Sequence, residues 1–161
     1  ADGVQPLTHE FDAFFIHSRG GSALGLGTAG GAEDIASSLA NLPAQIRTDL
    51  TVPVIMVQSE SDVLGVLNYF PARQEDTDLI RLWEMAGTAH VDRYMLGPLA
   101  DSVGCPAPIN DGPMHFMVQS GLRHLDTWAR GGEAPSPWRR ADPRGLRTCP
   151  CSRFRRFHTY S

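Results

Sequence analysis

Between Val52 and His90 the chain carries two apolar runs of strand length, each followed by a polar cluster able to do chemistry. The first run, Val52-Pro-Val-Ile-Met-Val57, is β-branched and does not alternate, which is the pattern of a strand covered on both faces of a parallel sheet. Pro53 fits at its start, where a missing N–H costs little. The second run, Leu79-Ile-Arg-Leu-Trp-Glu-Met-Ala86, mixes apolar and polar residues and breaks at Gly87, predicting a strand with one partly exposed face. Glu60 and Asp62 follow the first run and His90 follows the second. Ligands and catalytic groups in open α/β sheets collect at the carboxyl ends of strands. The pattern therefore brings an acid and a histidine to one sheet edge.

The flanking sequence extends this α/β reading. Phe11–Ser18 reads as a buried strand whose polar end, His17-Ser18-Arg19, falls on the same edge. The glycine-rich stretch from Gly20 to Gly31 matches neither a Walker pattern nor a dinucleotide fingerprint and reads as a loop. A short helix is expected over Glu33–Leu42, stopped by Pro43, a helical turn over Val63–Phe70, and a solvated turn over Pro71–Asp78. The Pro- and Gly-containing stretch Val91–Asp111 overhangs the site or packs on the surface. Asn110 reads as the N-cap of the clearest helix, with Pro113 in its first turn and Met114, Met117, Val118, Leu122, Leu125, Trp128 and Ala129 at helical spacing. Gly131 supplies its stop. The expected organisation is one domain over residues 1–132, then a Pro/Arg-rich linker and weakly ordered tail over 133–161.

Composition bounds the function classes. With 161 residues, 42% hydrophobic and 20% charged, the chain is long enough for one domain with a core. Its net charge of −4 argues against nucleic-acid binding by the chain as a whole. All fourteen basic residues are arginine, and seven of them lie in the tail, which reads as a weakly ordered end rather than a nucleic-acid or anionic-surface binder. No apolar run is long enough to span a membrane. No charged-then-apolar leader opens the chain, so the compartment is left open, cytoplasmic by default. Cys105 stands alone and Cys149-Pro-Cys151 lacks the spacer of zinc knuckles, so neither a disulfide framework nor a cofactor is expected.

Four segments in one order, F-F-I-H-S-R-G-G, I-R-T-D-L-T-V-P-V-I, R-L-W-E-M-A-G-T-A-H and P-I-N-D-G-P-M-H, together resemble the C-terminal half of a group of bacterial α/β-hydrolase-domain proteins, presumed carboxylic-ester hydrolases. The resemblance covers roughly Val4–Arg130. It implies a partial α/β-hydrolase-like fold, a mostly parallel sheet with flanking helices, in which the acid precedes the histidine and both follow the nucleophile. It also implies a small-molecule ester as substrate. No G-x-S-x-G elbow occurs. The nearest imitations surround Ser18, Ser22 and Ser120, and none reads as following a strand and opening a helix. Two triad members of three are therefore expected, together with self-association or a complementary chain, since an interrupted sheet exposes an edge.

Within that expectation His90 is the base and Asp62 the acid that orients it. Glu60 is the alternative acid, on the opposite face if the strand continues through it. Asp92 reads as a local ion-pair partner. Ser18 and Ser22 are the substitute nucleophiles. His17, Arg19 and His115 line the pocket, Arg19 either meeting a substrate carboxylate or pairing internally. A metal site built from His90, His115 and one of the carboxylates Asp62, Glu60 and Asp92 is the other enzymatic arrangement, with no H-x-x-x-H pair to support it. A non-catalytic remnant or interaction module is the competing class.

Overall fold

A computed structural model describes residues 1–23, 41–65, 67–103, 108–111 and 114–137. The glycine-rich stretch beyond residue 23, nearly all of the Glu33–Leu42 helix, Cys105, Pro113, Cys149, Cys151 and the basic tail lie outside the described residues.

Three parallel strands form the sheet in the order β1 (Phe14–His17), β2 (Val54–Ser59), β3 (Ile80–Met85). Phe14 pairs with Val54 and Val54 with Ile80, so the carboxyl ends align at His17, Ser59 and Met85. The described helices are α1 (Gln5–Thr8), α2 (Glu60–Leu64), α3 (Arg93–Leu96) and α4 (Met114–Ala129), of which α2 and α4 pack against the sheet. Short 3-10 turns cover Phe70–Ala72 and Gly97–Ser102. The protein is thus α/β, as the two apolar runs predict. Among the described residues no helix is long and apolar enough to cross a membrane.

Alternation along β2 explains why its run reads as uniformly apolar. Val54 and Met56 face a cluster with Ile46, Leu50, Val63, Tyr69, Ile80 and Leu82. Ile55 and Val57 face the opposite cluster, with Trp83, Met85, Met114, Leu125 and Trp128. Both faces are covered, so apolar residues are required at every position.

β3 departs from expectation for the same reason. Five of its six residues are buried and Arg81 is half-buried, so neither face is left to solvent. The polar residues in it are matched internally. Glu84 receives the Arg73 guanidinium, with Nε to Oε1 at 2.6 Å. Arg81 donates to the Pro135 carbonyl at 2.7 Å and lies over the Trp128 ring. That contact buries Pro135 and docks the segment expected to be a linker. β1 is shorter than Phe11–Ser18 and only half-buried, because one of its edges is unpaired among the described residues.

The loops are also more built than their composition suggests. Gln74, expected in a solvated turn, is buried and exchanges two hydrogen bonds with the Ile46 backbone. The helical turn expected at Val63 begins three residues earlier, at Glu60. Helix α4 begins at Met114, four residues past Asn110, and Asn110 Oδ1 instead accepts from the Ala89 amide at 2.8 Å. Met114, Gly121, Leu125 and Trp128 form the buried face of α4, whereas Leu122, expected in it, is exposed. Gly131 (φ +82°) ends the helix, with its own amide on the Trp128 carbonyl and that of Gly132 on Thr127, closing a Schellman motif.

Candidate active site

Asp62 is oriented by the way β2 stops. Ser59 N-caps α2: its hydroxyl accepts from the Asp62 amide at 3.2 Å, and Asp62 Oδ2 accepts from the Ser59 amide at 2.8 Å. This is a reciprocal capping box, a device that satisfies two backbone donors at a helix start. Here it also turns the carboxylate back over the carboxyl ends of the strands. Asp62 is fully buried.

His90 arrives from β3 through a turn built on Gly87 (φ +72°), a backbone conformation that glycine adopts freely. The turn is pinned to α2 by several bonds. Glu60 Oε2 accepts from the Gly87 amide at 2.7 Å, and the Thr88 carbonyl accepts from the Ser61 amide. Ser61 Oγ accepts from the His90 amide at 2.6 Å. With its backbone fixed, His90 places Nδ1 2.6 Å from Asp62 Oδ1. The His90 side chain is 52% exposed while that of Asp62 is 0% exposed. No described residue bonds His90 Nε2.

The electrostatics follow from this geometry. Burial works to raise the Asp62 pKa, but hydrogen bonds from His90 and Ser59 outweigh it and hold the carboxyl below its ordinary value. His90 is pushed above the usual histidine value by its hydrogen bond to Asp62, against partial burial. His17 moves the other way. Burial lowers it, attraction to Asp62 opposes that, and the proximity of His90 adds to the lowering.

The structure separates the remaining sequence-predicted residues. Ser18 is brought to the acid rather than to the base: its hydroxyl donates to Asp62 Oδ2 at 2.9 Å. His17 Nε2 lies 3.3 Å from Ser18 Oγ and 2.9 Å from Met114 Sδ. Ser22 sits apart in an isolated bridge to Pro43. Arg19 donates to the carbonyls of Gly20 and Ala44 and lies over the Tyr69 ring. His115 stacks on Tyr94 with ring centroids 4.4 Å apart. Glu60 is not on a strand face, because β2 ends at Ser59; its carboxylate holds the Gly87 turn. Asp92 caps α3 through the Met95 amide at 2.9 Å. Among the described residues no group of three or more His, Cys, Asp and Glu side chains is placed to hold a metal ion.

Sequence reading passed over Ser59, Ser61 and Thr88, which fix the acid and the histidine. One signal was present: Ser59-Glu-Ser-Asp62 has capping-box spacing directly after an apolar run. Ser61 and Thr88 carry no comparable signal, since each acts across a contact between segments distant in sequence.

Residues 1–148 match the model of a family described as alpha/beta hydrolase domain. No curated protein and no solved structure matches the chain.

Proposed function

Given that the chain belongs to the alpha/beta hydrolase domain family, a membership that carries a hydrolase-like function, we propose that it hydrolyses carboxylic esters by a Ser-His-Asp mechanism with His90 as base and Asp62 as acid. The observation that carries this reading is the 2.6 Å contact between His90 Nδ1 and a fully buried Asp62, beside an imidazole that is half-exposed. A carboxylate on Nδ1 holds the proton there and leaves Nε2 as the basic atom. His90 Nε2 takes the proton of a serine hydroxyl as its oxygen attacks the ester carbonyl. The imidazolium so formed is stabilised by Asp62 and returns the proton to the departing alkoxide. Water then repeats the sequence on the acyl-enzyme, releasing the acid and restoring the serine. Raised basicity suits His90 to the role, because a general base works best with a pKa close to the operating pH.

Among the described residues, the serine hydroxyls placed at the pair are each engaged otherwise than as an attacking group on His90 Nε2. Ser18 donates to Asp62, Ser59 caps α2, and Ser61 holds the His90 amide. That observation favours a second reading, a non-catalytic hydrolase-like module. Hydrolysis of short p-nitrophenyl esters separates the two, with a serine-reactive phosphonate and peptide mapping to identify the nucleophile. The expected result is turnover that falls by about 10²–10⁴-fold in His90→Ala, with one labelled serine. No turnover and no label in the wild-type protein would sink the esterase reading in favour of the module.

A further inference from the structure

The Ser18 hydroxyl is bonded to Asp62 itself rather than to backbone, and its geometry is unusual. It follows β1 at φ +53°, a left-handed conformation that a non-glycine residue adopts only when its surroundings demand it. Its amide continues the ladder to the Val57 carbonyl at 3.0 Å, so the backbone is anchored where the conformation is strained. From there the hydroxyl reaches Asp62 Oδ2 at 2.9 Å. The two oxygens of one buried carboxylate are thereby divided, Oδ1 to His90 and Oδ2 to Ser18 and the Ser59 amide.

The direction of the bonds is set by the acceptor. An ionised carboxylate only accepts, so Ser18 donates to it and its own oxygen is free to accept from His17 Nε2, 3.3 Å away. Hydrogen bonds in such a chain polarise one another in the same sense, toward Asp62. Among the described residues, the titratable groups that act on His90 and Asp62 are each other and His17, from β1; α4 contributes the uncharged Met114 against His17.

We propose that Ser18 is a positioning residue acting through Asp62: its hydroxyl draws negative charge toward Oδ2 and so moderates the pull of the carboxylate on the His90 proton. This rests on the His90–Asp62 pair of the hydrolytic reading, and assigns Ser18 to the acid instead of to nucleophilic attack. The carboxylate does not depend on Ser18 for its orientation, because the Ser59 amide remains on Oδ2. Removing the hydroxyl therefore leaves the His90 contact in place and concentrates charge on Oδ1.

The test is the titration midpoint of the His90 imidazole, followed by NMR on histidine-labelled protein and assigned by its disappearance in His90→Gln. In Ser18→Ala the midpoint is expected to move upward by about half a pH unit or more. Ser18→Gly should show the same shift while relieving the left-handed backbone, so it serves if the alanine variant folds poorly. A midpoint that stays put or falls in the folded variants would overturn the proposal, as would a phosphonate adduct on Ser18. The titration requires no substrate. Absence of ester hydrolysis would remove the esterase reading and leave this one standing, whereas an unmoved midpoint beside a His90-dependent esterase would do the reverse.

Discussion

A carboxyl group with no solvent exposure is ordinarily driven toward its neutral form, and Asp62 resists this because hydrogen bonds from the His90 ring and from Ser59 outweigh its burial. His90 takes the complementary shift, and the sign of the linkage follows. Its folded-state pKa lies above the ordinary 6.5, so with Asp62 ionised the protonated His90 contributes its full stabilisation below pH 6.5, and that contribution is lost as pH rises through the higher folded value. His17 is lowered from 6.5, so its contribution is present above that pH and is lost as pH falls. The two slopes oppose each other in the whole protein, and comparison with a variant isolates the first. In urea unfolding, the stability advantage of the wild type over His90→Gln is expected to be largest just below pH 6.5 and to shrink on the alkaline side. An advantage that is flat or grows with pH would contradict the raised His90 value. By the same sign, the acid limb of any ester-hydrolysis profile should have its midpoint above 6.5.

Between elements, the decisive contacts are close approaches of backbone. Gly21, past the turn that carries Ser18, donates its amide to the Leu67 carbonyl at 2.8 Å and accepts from the Ala44 amide at 2.9 Å. A Cβ built there would stand 2.2 Å from the Asn68 carbonyl oxygen. That oxygen belongs to backbone and cannot swing aside as a side-chain tip can. Gly21→Ala is expected to cost about 2 kcal/mol or more, read as a lower urea midpoint at unchanged slope. An alanine variant as stable as the wild type would mean that the two loops approach less closely. The glycine-rich stretch reads from its composition as a loop, yet at Gly21 the requirement is space beside another chain segment. Residue type alone does not reveal that. The capping box at Ser59–Asp62 is the opposite case, a local interaction written in local spacing and readable before any contact is known.

At the scale of the molecule, β1 presents an edge that no described strand pairs. Large apolar side chains are also exposed: Tyr94, Met95, Leu99 and Phe116 are each more than half accessible, Tyr94 at 70%. An unpaired edge and uncovered apolar surface both favour association. The expected outcome of light scattering on the purified chain is a dimer or larger species, and a monomer across the accessible concentration range would refute it. The family match over residues 1–148 and the parallel sheet agree on an α/β hydrolase architecture. An apolar run buried on both faces, followed by an acid, and a second run followed by Gly-Thr-Ala-His, were legible because strand burial and chain order are written in consecutive residues.

Consecutive residues were enough to specify the α/β class, the two strands that lead to Asp62 and His90, and the stop of α4 at Gly131, since each depends on periodicity or on the backbone preference of one residue. Long-range packing is what covers β3 on both faces, sets Glu60 on the Gly87 turn and Asn110 on the Ala89 amide, and turns Ser18 to the acid. Each of these joins groups far apart in the chain. Their partners are chosen by the register of the parallel strands and the packing of α4, and no local pattern encodes a distance across a sheet.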